Sequence, residues 1–137
     1  MALVVFDSDV LIAYLGRNDA QHEKAVERVR LALRPGTRRL VSAVNYAEIL
    51  IGPLRAADPT AAEKVDEMFV RFAIETVAVD MALAHRAASV RARTKLKLPD
   101  AFALATAIDA EERWRDEVRL ESFDEDVVKA HAALRSG

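Results

Sequence analysis

The chain has 137 residues, of which 52% are hydrophobic and 31% charged, so it can bury a core and keep a solvated surface. Its net charge of −2 argues against a protein that coats nucleic acid by phosphate neutralisation. The absence of cysteine excludes thiolate metal sites, iron–sulfur clusters and cysteine nucleophiles. No apolar run has the length needed to span a bilayer. We expect a single domain over residues 1–137, located in the cytoplasm.

The first half of the chain alternates short apolar runs with amphipathic segments. The predicted elements are a strand over 3–6, a helix over 20–33, a strand over 40–41 and a helix from 42 to 52. The first strand contains two adjacent valines and ends at Asp7, as a buried strand of a parallel sheet does. Ser42 is placed to cap the second helix, which carries Glu48 and ends at Gly52-Pro53.

The second half continues the alternation. Its predicted elements are a helix over 60–69, a strand over 74–79, and helices over 81–93 and 99–114, then a strand over 118–120 and a helix to 134. Capping-box spacing at Thr60–Glu63 and Ser122–Glu125 predicts two of the helix starts, and Asp80 is placed to cap another. Pro99 suits a first helical turn, which puts Asp100 at the amino end of its helix.

Strands that alternate with helices predict an α/β fold with a mainly parallel sheet and helices on both faces. Such sheets carry their sites beyond the carboxyl ends of the strands, and Asp7, Asp100 and Asp124 all map near that edge. Glu48 is an acid within the otherwise apolar segment 47–51, which indicates that its carboxylate also has a specific role.

Carboxylates that face one crevice repel one another and lose hydration, so they are tolerated when a divalent cation binds between them. Oxygen ligands favour Mg²⁺ or Mn²⁺. Two such ions can activate water and stabilise a leaving oxygen in phosphodiester hydrolysis, without histidine or cysteine. The three histidines lie far apart on separate predicted helices, so we expect them to be surface or core residues rather than metal ligands.

Four segments together resemble the motifs of VapC-type PIN domains, in the order of that family: Phe6–Ile12, Ser42–Ile49, Leu98–Ala107 and Ser122–Asp124. The resemblance extends over nearly the whole chain. It implies a PIN-like three-layer α/β/α fold and an Mg²⁺- or Mn²⁺-dependent endoribonuclease that is the toxin of a toxin–antitoxin pair. It also implies a homodimer, an RNA substrate and a VapB-type antitoxin as partner.

The same resemblance implies which side chains form the metal and catalytic site. The implied acids are Asp7, Glu48, Asp100 and Asp124. Ser122 fits the position of a small hydroxyl residue that orients the site, although the family usually has threonine there. Asp126 is an alternative fourth acid if the turn shifts by two residues, and Asp116 is a more distant one; the spacing from Ser122 favours Asp124.

Two further assignments remain open from the sequence. Asp9 either supports the first loop and the site or caps a helix that starts near Val10. A basic segment precedes Asp100 and is either a solvated helix end or a contact for RNA phosphates: Arg91, Arg93, Lys95 and Lys97.

Two rival functions are also compatible with parts of the sequence. Asp7-Ser8-Asp9 after an apolar strand is similar to the nucleophile and acid pair of haloacid-dehalogenase-type phosphatases, in which Glu48 would have no role. A catalytically inactive PIN-like binding module is the non-enzymatic alternative, against which the four intact acids argue.

Overall fold

The computed structural model describes residues 2–136, and within that range strands and helices follow one another along the whole chain. The elements are β1 (Ala2–Phe6), α1 (Ser8–Leu15), α2 (His22–Ala32), β2 (Thr37–Ser42), α3 (Ala43–Arg55), α4 (Pro59–Arg71), β3 (Ile74–Val77), α5 (Met81–Arg93), α6 (Leu98–Trp114), β4 (Val118–Glu121) and α7 (Glu125–Ser136). None of the described helices is long and apolar enough to cross a membrane.

The four strands form one sheet in the order β3-β2-β1-β4, and every neighbouring pair is parallel. Val5 of β1 lies opposite Leu40 on one side and Leu120 on the other. The predicted parallel α/β fold is therefore confirmed. Successive strands are joined by two helices rather than by one, and all four strands end at the same edge of the sheet.

Each face of the sheet supports its own apolar core, because successive side chains of a strand point to opposite faces. Leu3 and Val5 pack with residues of α5 and α6, whereas Val4 and Phe6 pack with residues of the first four helices. Burial on both faces explains the continuous apolar run of β1. The result is the three-layer α/β/α arrangement that the sequence predicted.

Helix α6 is deeply buried, and its amino end positions Asp100 at the carboxyl edge of the sheet. Seven consecutive residues, Ala101–Ala107, are buried, so the helix is apolar around its circumference rather than on one stripe. Its amino end, with Pro99 in the first turn, lies at the carboxyl edge of the strands. The sequence expectation that Asp100 begins this helix is confirmed.

Neither of the two predicted capping boxes forms. Helix α4 begins at Pro59 with Asp58 as its cap, whose side chain accepts a hydrogen bond from the Ala61 amide (3.0 Å), so the Thr60–Glu63 box does not form. The reason is that Pro59 has no amide hydrogen and suits the first helical position.

At α7 the capping contact also differs from the predicted box. Ser122 Oγ accepts a hydrogen bond from the Asp124 amide, and Asp124 Oδ1 accepts one from the Asp126 amide (2.9 Å).

Helix α1 begins at Ser8 with Asp7 as its cap, so the alternative in which Asp9 caps it is wrong. Strand β3 ends at Val77, two residues before its predicted end. The predicted caps Ser42 and Asp80 are confirmed by bonds from the Asn45 and Leu83 amides.

Candidate metal centre

The carboxyl edge of the sheet gathers the acids that the sequence singled out. Asp7 follows the last residue of β1, and Asp124 lies three residues beyond the end of β4. Asp100 lies in the first turn of α6, and Glu48 lies on α3, the helix that follows β2 directly. Four different connections therefore bring one acid each to the same edge.

Asp7 is the most buried of these acids, with 2% of its surface exposed. Its Oδ1 accepts a hydrogen bond from the Ser8 amide at 2.8 Å, and its Oδ2 accepts one from Ser122 Oγ at 3.0 Å. Burial, together with the negative charges of Asp9 and Asp100, raises the pKa of the Asp7 carboxyl to about 7, although the hydrogen bonds from Ser122 and Ser8 act in the opposite direction.

Asp9 lies in the first turn of α1 and turns its carboxylate toward the end of β4. Its Oδ2 accepts a hydrogen bond from the Phe123 amide at 2.9 Å. Its Oδ1 is buried and has no hydrogen-bond partner. Burial raises the pKa of Asp9, and the charge of Asp124 adds to that rise. A buried carboxylate oxygen without a donor is a costly arrangement that a cation at this position would relieve.

Asp100 is the acid whose pKa is affected by three other acids. Its pKa is raised, first by burial and then by the negative charges of Asp124, Glu48 and Asp9. Lys97, one turn earlier in the chain, acts in the opposite direction. Asp100 is therefore within electrostatic reach of acids from α1, α3 and the β4–α7 connection.

Glu48 is held by two residues to which the sequence analysis gave no role. Its Oε1 accepts a hydrogen bond from Ser8 Oγ at 2.8 Å and another from Asn45 Nδ2 at 3.0 Å. Asn45 is fully buried and also donates to the Pro99 carbonyl at 3.1 Å, which joins α3 to the start of α6. The spacing of Asn45 and Glu48, three residues apart on one helix, was the available signal.

A further residue that the sequence analysis missed is Glu121, the last residue of β4. Its side chain is 3% exposed and forms ion pairs with Arg28 (2.6 Å) and Arg119 (2.8 Å). Its backbone carbonyl accepts from the Asp7 amide at 2.9 Å. Arg28 is 93 residues away in the chain, so no local pattern could have indicated this pairing.

The structure distinguishes between the candidate fourth acids by position. The charge of Asp124 acts on Asp9 and Asp100, and its amide donates to Ser122 Oγ at 3.0 Å. Asp126 is exposed on the first turn of α7. Asp116 is exposed in the turn before β4, at the opposite end of the strands from the gathered acids. Asp124 is therefore the candidate that faces the other acids.

The histidines and the basic segment contribute little to this edge. His22 bonds the Ala13 carbonyl and His131 pairs with Glu111, whereas His85 is exposed on α5. In the basic segment, Arg91 donates to the Leu96 carbonyl and so holds the loop before α6. Lys97 acts on Asp100, but the expected RNA contact of this segment remains a prediction.

The donor chemistry of the gathered acids fits Mg²⁺ or Mn²⁺, because all of their ligand atoms are hard carboxylate oxygens. The unpartnered Asp9 oxygen supports the same fit. Over residues 2–136, no three acidic or histidine side chains already form a group that could hold an ion.

Comparison with known proteins agrees with this architecture. The PIN domain family model matches residues 4–134. The fold resembles that of VapC20 from Mycobacterium tuberculosis, a sarcin-ricin loop cleaving toxin, with a TM-score of 0.71 and 19% identity over 93% of this chain and 94% of that one. It also resembles VapBC-1 from nontypeable Haemophilus influenzae, with a TM-score of 0.70 and 13% identity over 96% and 93% of the two chains.

A toxin–antitoxin complex from Klebsiella pneumoniae is also similar, with a TM-score of 0.57 and 24% identity over 86% of this chain and 83% of that one. No curated protein sequence matches the chain significantly. At these identities, the structural likeness demonstrates a shared fold.

The raised pKa of Asp7 predicts how the stability of the metal-free protein depends on pH. Its folded-state pKa of about 7 lies above the ordinary value of 3.8, so the folded state binds more protons between these values and stability falls as pH rises through that window. Asp7→Asn removes this ionisation and should raise the free energy of unfolding at about pH 8 by roughly 1–4 kcal/mol, with little change near pH 4.

Chemical denaturation in EDTA at both pH values measures this difference. Asp109→Asn is the matched control, because Asp109 lies on α6 and pairs only loosely with Arg113 (3.5 Å). Equal stability of Asp7→Asn and the unsubstituted protein at high pH would show that Asp7 carries no electrostatic penalty.

Proposed function

The chain belongs to the PIN domain family, and from this membership we propose that it is a metal-dependent endoribonuclease that acts as the VapC-type toxin of a toxin–antitoxin pair. The observation that carries the proposal is the environment of Asp7. A buried carboxyl with a pKa of about 7 lies beside two further acids, and one of these, Asp9, has a buried oxygen without a partner. A fold gains nothing in stability from such an arrangement unless a cation occupies it.

In this proposal Asp7, Glu48, Asp100 and Asp124 hold Mg²⁺ or Mn²⁺, and Asp9 supports them. When bound, the cation supplies activation of water and neutralisation of charge on the scissile phosphate. The protein supplies orientation: Ser122 donates to Asp7, while Ser8 and Asn45 donate to Glu48. These donors fix Asp7 Oδ2 and Glu48 Oε1, which matters because misplaced groups lose catalytic rate steeply.

The rival functions have less support. Phosphoryl transfer through an aspartyl nucleophile would leave Glu48 and its two hydrogen-bond donors without a role. An inactive binding module would have no need to keep four acids at one sheet edge against their mutual repulsion.

The proposed partners follow from the proposed role. We assign a VapB-type antitoxin as the partner, supported by structural neighbours that are toxin–antitoxin assemblies from Klebsiella pneumoniae and Haemophilus influenzae. A homodimer is part of the same proposal. So is a cytoplasmic location, because a ribonuclease toxin acts where RNA is accessible.

The most direct functional test is Mn²⁺-dependent RNA cleavage by the purified protein. Asp100→Asn should reduce cleavage at least about a hundredfold, because Asp100 lies where the charges of three other acids converge. Asp109→Asn, a charge change of the same size on the same helix, should retain nearly full activity. Cleavage that is independent of Mn²⁺, or that Asp100→Asn leaves intact, would refute the proposed metal site.

The identity of the fourth acid can be tested by a matched pair of substitutions. Asp124→Asn should reduce RNA cleavage by roughly tenfold or more, since its charge acts on Asp9 and Asp100, whereas Asp126→Asn should leave it within about twofold. Both variants lose one negative charge at the start of α7, so their effects on the helix dipole are alike. The reverse order of activities would assign the role to Asp126.

A further inference from the structure

A groove with a positive surface adjoins the acidic edge, between α2, the end of β4 and the start of α7. We call it the cationic groove and define it by Lys24, Arg28, Arg119 and Lys129. Its wall also includes Ser122 and Phe123, the residues that donate to Asp7 and Asp9. The cationic groove and the candidate metal centre therefore share the β4–α7 connection.

The two arginines of the groove are fixed by the buried Glu121 carboxylate. Arg28 meets it through Nη1 and Arg119 through Nε, at 2.6 and 2.8 Å. A guanidinium has five donors, so this single acid engages only part of each. The arginine side chains remain 42% and 47% exposed, while Glu121 is 3% exposed. The acid is thus hidden beneath two cations that point donors toward solvent.

Charge in the groove is opposite in sign to that of the chain as a whole. The chain has a net charge of −2, whereas four cationic side chains line the groove against three acids, of which Glu121 is buried. The Arg28 guanidinium also lies over the Phe123 ring, 6.0 Å from its centroid, which further restricts its position. Preorganised guanidinium groups are suited to bind phosphate oxygens through two donors at once.

We propose that the cationic groove binds the backbone phosphates of an RNA strand that flank the phosphate to be cleaved. The inference rests on the proposed ribonuclease function and adds where the substrate lies. A strand that places one phosphate at the acidic edge continues past Ser122 and Phe123 into the groove, where Arg28 and Arg119 contact its next phosphates. These contacts position RNA without reading its sequence.

The structure favours this path over the basic segment at residues 91–97. Arg91 is engaged with the Leu96 carbonyl, so its guanidinium is committed to the loop before α6. Arg93 lines a different groove, with His85 and Arg86 of α5. Lys97 remains available beside Asp100 and is compatible with either path.

The experiment measures binding of a fluorescein-labelled single-stranded RNA by anisotropy, in an Asp100→Asn background so that the RNA stays intact. Arg28→Gln combined with Arg119→Gln should weaken Kd by about tenfold or more and reduce the slope of log Kd against log salt by roughly one to two. The matched control is Arg86→Gln with Arg113→Gln, which removes the same charge from arginines paired with Glu112 and Asp109 at the far end of α6.

A second pair of substitutions covers the case in which the buried Glu121 carboxylate, left without its arginine partners, unfolds the arginine variant. Lys24→Gln with Lys129→Gln removes two exposed cations from the same groove and leaves the Glu121 ion pairs intact. This variant should weaken Kd at least about threefold and lower the salt slope. Two results would overturn the proposal. One is RNA binding by both groove variants that equals that of the control variant. The other is a loss of affinity of the groove variants for a polyglutamate peptide without any loss of affinity for RNA.

RNA cleavage by the unsubstituted protein is measured alongside, which separates the two inferences. Groove-dependent RNA binding without any cleavage would support the groove and refute the ribonuclease function. RNA cleavage, combined with RNA binding that the groove substitutions do not weaken, would refute only the proposed role of the groove. Absence of both binding and cleavage would refute both.

Discussion

The burial of like charges at one edge of a parallel sheet is the constraint on which the rest of this structure depends. Asp7 is almost completely removed from solvent, and its pKa of about 7 reflects that burial together with the charges of Asp9 and Asp100. The burial of Asp7 and the two neighbouring charges all oppose folding of the protein with Asp7 ionised. The surrounding architecture has two tasks, to hold the acids together despite repulsion and to leave room for a ligand of opposite charge.

The fold achieves the first task through rigid neighbours. Every strand ends at the same edge because the sheet is entirely parallel, and apolar cores on both faces prevent the strand ends from moving apart. Asn45 then links α3 to the start of α6 through Glu48 and the Pro99 carbonyl. Because buried polar networks of this kind are costly when incomplete, Asn45 fixes the spacing of two acids that belong to different helices.

Much of this arrangement could be predicted from the sequence, since strand periodicity, cap residues and four short motifs are local signals. Asp7 and Asp100 could be placed at the sheet edge because Asp7 follows a strand and Asp100 begins a helix. The missed features are non-local or depend on competing local choices. The pairing of Glu121 with Arg28 spans 93 residues, and Pro59 displaced the expected start of α4. Asp9 was ambiguous because a cap and a site acid look alike until the partner amide of Phe123 is known.

The central claim is that Asp7 is destabilised by its neighbours until a divalent cation binds, and its carboxyl titration tests that claim most directly. Carbon-13 NMR of the Asp7 side chain should report a pKa of about 7 in EDTA. Saturating Mg²⁺ should lower that pKa below its ordinary value of 3.8, because the cation stabilises the ionised form. An Asp7 pKa near 4 without metal, or one that Mg²⁺ does not change, would contradict the account.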